Sequence, residues 1–156
     1  MAAPSAPSLR RVGSALVALQ FALLGVLAWL GAIGLTRGAW PAMALLPLLA
    51  GVVLGAWALA ANRPGNFNIR PQPREGGHLI EHGPYRWIRH PMYSALLVAG
   101  AGAAWIAGSL VAWAALVALA IVLRLKAGVE EAAMAQAHAG YAAYRQRTRR
   151  FVPGLY

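Results

Sequence analysis

The chain has 156 residues, of which 60% are hydrophobic and 12% charged, with a mean hydropathy of +0.55. Soluble domains carry about 25% charged residues, so this balance excludes a soluble globular domain and specifies an integral membrane protein. The net charge of +10 does not describe a nucleic-acid binder, because the basic residues gather at the ends of apolar segments, and the absence of cysteine removes disulfides, thiolate metal sites and a cysteine nucleophile. Anionic lipid headgroups are the natural counter-charge.

Residues 1–11 are small, polar, proline-containing and closed by Arg10-Arg11, and are expected to form a disordered leader. The uncharged run from Val12 to Thr36 meets the ~20 residues one helical span needs. It is longer than a signal-peptide core of about 7 to 15 residues, and the Arg-Arg pair is only weakly like a twin-arginine signal. After the turn Arg37-Gly38, Ala39 to Ala61 is again uncharged, with Trp40 and Trp57 toward its ends as interfacial anchors. Residues 12–61 therefore predict two spans. Within the second, Gly51-Val-Val-Leu-Gly55 is a GxxxG pattern that suits close packing against another helix of the same chain.

Asn62 to His90 is one long polar connection, too rich in proline, glycine and asparagine for a regular helix. A connection of that length in so short a chain points to function or disorder. A helix is expected to start at Pro91, because proline suits the first turn and pushes His90 out of the helical region. Pro91 to Leu123 is uncharged for 33 residues, about 50 Å of helix against ~30 Å of hydrocarbon, so the run is expected to break near Gly108-Ser109 into a tight helical hairpin. Four spans also place thirteen of the fourteen Lys and Arg residues on one side, which predicts both termini in the cytoplasm. Alanine and arginine richness suggests a GC-rich bacterial genome, hence a bacterial inner membrane. Beyond Lys126, a new helix after Gly128 is expected to run to about Arg147 and lie along the membrane surface.

Chemistry-bearing residues gather at one interface. Gly83-Pro84-Tyr85-Arg86-Trp87-Ile88-Arg89-His90-Pro91-Met92-Tyr93 leads into the third span, and Glu130-Glu131, half of the four acidic residues, follow the fourth. Taken singly, each has a structural use: glutamates in the first turn of a helix or paired with Lys126 at i,i+4, His90 at a helix entrance, Tyr85, Trp87 and Tyr93 as interfacial anchors. His78, His82 and His138 lack metal-ligand spacing, so no metal site is expected. Gly100-Ala101-Gly102 lies inside a span and reads as packing, not nucleotide binding.

Taken together, Gly83-Pro84-Tyr85-Arg86-x-x-Arg89-His90-Pro91-Met92-Tyr93, two spans, Glu130-Glu131, Tyr141-x-x-Tyr144 and a basic segment ending at Pro153 resemble the isoprenylcysteine carboxyl methyltransferase and phospholipid methyltransferase superfamily. The resemblance covers residues 62–156 and implies a methyltransferase core there: cytoplasmic loop, spans three and four, and a C-terminal cofactor-binding helix. It implies S-adenosylmethionine as cofactor and a lipophilic acceptor entering from the bilayer. Tyr85, Arg89, His90, Pro91, Tyr93, Glu130 and Glu131 would bind the cofactor, and Glu130 or His90 would be catalytic. Ala95 and Ala139 stand where that family commonly has glycine and phenylalanine; neither change removes a polar contact. The acceptor classes are an isoprenylcysteine-type carboxylate, a phospholipid amine or a small thiol, and the base for an amine or thiol stays open among Glu130, Glu131 and His90. Two other classes compete: a non-enzymatic scaffold or transporter subunit, disfavoured because no ionisable residue is expected inside a span, and an NADPH-dependent lipid reductase. Oligomeric state is not specified.

Overall fold

The computed structural model describes residues 6–38, 41–62 and 78–155. It is all-helical among these residues: α1 (Ala6–Thr36), α2 (Ala42–Ala61), a 3₁₀ turn (Gly83–Arg86), α3 (Pro91–Ala107), α4 (Leu110–Ala137) and α5 (Tyr141–Arg147). Three of these helices, over Arg11–Thr36, Ala42–Ala61 and Leu110–Ala137, are long and apolar enough to cross a membrane. At 17 residues α3 is shorter, about 26 Å, yet it packs against α1, α2 and α4 and shares their apolar character.

Large apolar side chains including Trp29, Leu49, Val53, Val117 and Ile121 face outward, while much of the interior consists of small residues such as Ala44, Ala58, Ala104 and Ala112. In lipid, association rests on close packing, so small residues belong between helices and bulky ones on the rim. Gly51 and Gly102 make this close approach reciprocal. A Cβ on Gly51 would lie 2.7 Å from the Ala95 carbonyl oxygen of α3, and one on Gly102 would lie 2.8 Å from the Ala44 carbonyl oxygen of α2. Both glycine patterns read from the sequence thus serve packing within the chain. Leu27 of α1, Ala104 of α3 and Ala112, Ala115, Leu119 and Leu123 of α4 close the other side of the core.

The entrance and exit of α3 fall where the sequence places them. Pro91 occupies the first turn after His90; at the far end Gly108 adopts φ +58° and Ser109 caps α4 by accepting from the Val111 and Ala112 amides. The carboxyl end of this hairpin differs from expectation. Instead of ending near Leu123 and restarting after Gly128, α4 runs unbroken for 28 residues to Ala137. A single glycine among good helix formers weakens a helix by about 1 kcal/mol without breaking it, and the ladder continues through it. The C-terminal helix is accordingly reduced to the 7-residue α5, separated from α4 by His138–Gly140. At the other end α1 begins at Ala6, inside the expected leader, with Pro7 in its tolerated first turn. Residues 1–5, Trp40 and 63–77 of the polar connection lie outside the described residues.

Candidate active site at the end of the bundle

At about 1.5 Å per residue α4 is about 42 Å long, roughly two turns more than the ~30 Å hydrocarbon core, so its last turns reach the interface. Heptad-like spacing carries the buried stripe Leu119, Leu123, Lys126 and Ala127 onward to Glu130 and Glu131, directly beside the start of α3. The two glutamates therefore occupy helix interior, and they and Lys126 lie on a helix that qualifies as a span. That corrects both the first-turn placement and the expectation of spans without ionisable residues.

Glu131 is 4% exposed and surrounded by donors. Arg89 Nε donates to its Oε1 at 2.9 Å; Arg150 donates in a fork, Nε at 3.0 Å and Nη2 at 2.8 Å; His90 Nε2 lies 3.2 Å from Oε1. A planar guanidinium matches a carboxylate in this two-pronged manner and makes its burial tolerable. Glu130 is different. It accepts from the Tyr93 hydroxyl, has His90 Nδ1 at 3.4 Å, and keeps 21% of its side chain exposed. The His90 ring thus bridges both glutamates while stacking on Tyr93 at 5.3 Å between centroids and 3° between planes. Burial alone would push the His90 pKa down; hydrogen bonds and charge from Glu130 and Glu131 outweigh it, and the net direction is up.

The remaining residues of the motif secure these groups. Pro91 is fully buried and starts α3. Arg89 spends its guanidinium on Glu131 and on the Thr148 carbonyl at 2.6 Å. Tyr85 sits in the 3₁₀ turn, where burial first and the Glu130 charge second, opposed by a hydrogen bond with Asn62, push its pKa up to about 12. Trp57 and Trp87 meet edge to face at 5.8 Å, joining the end of α2 to the turn.

Three contributors were not legible as site residues beforehand. Arg150 and Phe151 arrive on a C-terminal strap that pairs with the segment before α3: Arg89 N–H donates to Arg149 C=O, His90 N–H to Arg150 C=O, and Arg149 N–H to Trp87 C=O. Ser94 Oγ fastens the strap by donating to the Phe151 carbonyl at 2.6 Å, and the Phe151 ring lies 5.9 Å from His90. Lys126 is the third, a residue 2% exposed whose ammonium donates to Gln20 Oε1 of α1 at 2.6 Å. The lone amide of Gln20 inside an apolar span was the available signal.

Helices packed through small residues, apolar rims and a polar cluster at one end define an integral membrane protein with an interfacial site. The family model for phospholipid methyltransferases matches residues 40–140, well over half of the chain and the whole of α2, α3 and α4. The chain belongs to the phospholipid methyltransferase family, and methyltransferase activity is what that membership implies. No curated protein and no solved structure matches it.

Proposed function

We propose that the protein transfers the methyl group of S-adenosylmethionine to a lipophilic acceptor at the cytoplasmic face of a bacterial inner membrane, both termini lying on that face. The observation that carries the reading is the unequal treatment of the glutamates: Glu131 is saturated by arginines, while Glu130 stays partly exposed beside three aromatic rings. That donor set fits the cofactor, whose ammonium and ribose hydroxyls suit a carboxylate and whose adenine suits aromatic faces. Glu130, His90, Tyr93 and Phe151 would hold it, with Tyr85 nearby; bound, it supplies an electrophilic sulfonium methyl. Pro91, Arg89 and Glu131 act behind them by fixing the entrance of α3 and the strap.

Alignment, not covalent help from the chain, is the main requirement of such a displacement, and positioning can supply about 7 to 11 kcal/mol of the barrier. For an amine or thiol acceptor, the Glu130–His90 pair is the base, since both oxygens of Glu131 are committed to cations. A phospholipid amine, an isoprenylcysteine-type carboxylate and a small thiol are the acceptor classes to try. Calorimetric titration of detergent-purified protein with S-adenosylhomocysteine tests the donor: binding that Glu130→Ala weakens at least tenfold supports the assignment. Absence of binding by the intact protein, with NADPH binding in its place, would overturn it in favour of a reductase.

A further inference from the structure

We infer that Ser94 is a positioning residue: its hydroxyl seats the Phe151 ring against His90 and Tyr93, so that the C-terminal strap completes the aromatic wall beside Glu130. The bearing of that wall on the methyl donor rests on the function proposed above; the seating of the ring does not. The amides of Arg89 and His90 donate to the successive carbonyls of Arg149 and Arg150, at 2.8 and 3.1 Å. In that register the next carbonyl, that of Phe151, falls to Pro91, which has no N–H to give. The amides of Tyr93 and Ser94 do not replace it, because they turn back to the His90 carbonyl as α3 begins. Ser94 supplies the donor from its side chain instead. Its Oγ lies 2.6 Å from the Phe151 carbonyl oxygen and 3.3 Å from that of His90, and the single hydroxyl proton goes to the nearer acceptor. A helical serine ordinarily bonds back to the carbonyl four residues earlier, so this one is turned toward the strap.

What the contact holds is the ring on the same residue. His90 and Tyr93 stack with their planes 3° apart, and Phe151 meets them tilted by 51° and 48°, with centroids 5.9 and 6.5 Å away. Tilted aromatic contacts at this range are individually weak and sensitive to orientation, so the ring is held only as well as the backbone that carries it. Arg89 on the Thr148 carbonyl and the Arg150 fork on Glu131 tie the strap just before Phe151. Just after it the strap turns outward, with Val152 46% and Leu155 83% exposed. Ser94 acts at the point between, where the anchored strap gives way to the exposed tail. Without its proton the Phe151 carbonyl loses this donor and the peptide is free to turn, taking the ring with it.

Nuclear Overhauser contacts between labelled phenylalanine and histidine rings of the full-length, ligand-free protein in detergent read the seating, and the cross-peak lost in Phe151→Leu belongs to Phe151. Ser94→Ala should weaken that cross-peak by about threefold or more while the thermal transition stays cooperative, and Ser94→Thr, which keeps the hydroxyl, should restore it. Should Ser94→Ala fail to fold, Ser94→Cys keeps the size with a weaker donor and should weaken the peak partway; full intensity there would count against the inference. Calorimetry with S-adenosylhomocysteine adds a second arm. Ser94→Ala and Phe151→Leu should each weaken binding by about threefold to tenfold, and the double variant no further than Phe151→Leu alone, because the hydroxyl acts through the ring. A cross-peak unchanged in folded Ser94→Ala, one equally lost in Ser94→Thr, or a double variant weakened by the product of the single effects would overturn the inference. A cross-peak that responds as expected in a protein that binds no S-adenosylhomocysteine keeps the Ser94 role and removes the donor.

Discussion

On the strap side of α4, Glu131 is buried among Arg89, Arg150 and His90, each within 3.2 Å; one residue earlier, Glu130 meets a hydroxyl and the second nitrogen of the same imidazole and stays partly open. A carboxylate can be taken out of water when fixed cations fill its lone pairs, and it is then unavailable for anything else. A carboxylate left with unfilled capacity is less stabilising and more useful. Adjacent positions in one helix thus divide structure from chemistry, because successive residues point about 100° apart.

The largest expected effect comes from emptying the saturated side. Glu131→Ala leaves two guanidinium groups without their carboxylate and should destabilise the fold by about 3 to 5 kcal/mol, read as loss of the cooperative thermal transition in detergent. Glu130→Gln should cost about 1 kcal/mol or less in the same assay; a loss equal to that of Glu131→Ala would abolish the distinction. Next in size is the packing beneath the site. Gly51→Leu must push α3 away from α2, since even a Cβ there would lie 2.5 Å from the Ala99 nitrogen, and about 1 to 3 kcal/mol of destabilisation is expected, measured by thermal unfolding.

Proton linkage sharpens the comparison further, because His90 serves both glutamates. Its pKa is raised in the folded chain, so its contribution to stability is complete below its ordinary value of 6.5 and is lost as pH rises through the folded value. The melting temperature should fall over that window, and His90→Gln should flatten the dependence; a fall of equal size in the variant would assign the linkage elsewhere. The smallest effect belongs to Arg150→Lys. A point charge cannot reproduce the two-pronged contact at 3.0 and 2.8 Å, and about 1 kcal/mol should be lost while the strap stays attached through Ser94 and Arg89.

Much of this end of the molecule is written locally. His90-Pro91 marks the start of α3, Gly108-Ser109 its turn, and the charge-free runs mark the apolar helices, because each depends on the backbone and solvent preferences of neighbouring residues. The pairing of Tyr93 with Glu130 and of His90 with both glutamates follows once spans three and four form an antiparallel hairpin. The continuation of α4 through Gly128 is not legible locally, because a glycine offers the same signal whether it ends a helix or lies within one.

The amino-acid sequence by itself determined the membrane class, the apolar helices with their hairpin turn, and which residue types gather at the interface, since hydropathy and helix punctuation act over a few residues. Only the tertiary structure decided which glutamate is locked by Arg150 from the returning strap, and that Gln20 reaches Lys126 from 106 residues away. Those choices depend on the rotation and register of whole helices, and that register is set by where small residues such as Gly51 and Gly102 let backbones touch.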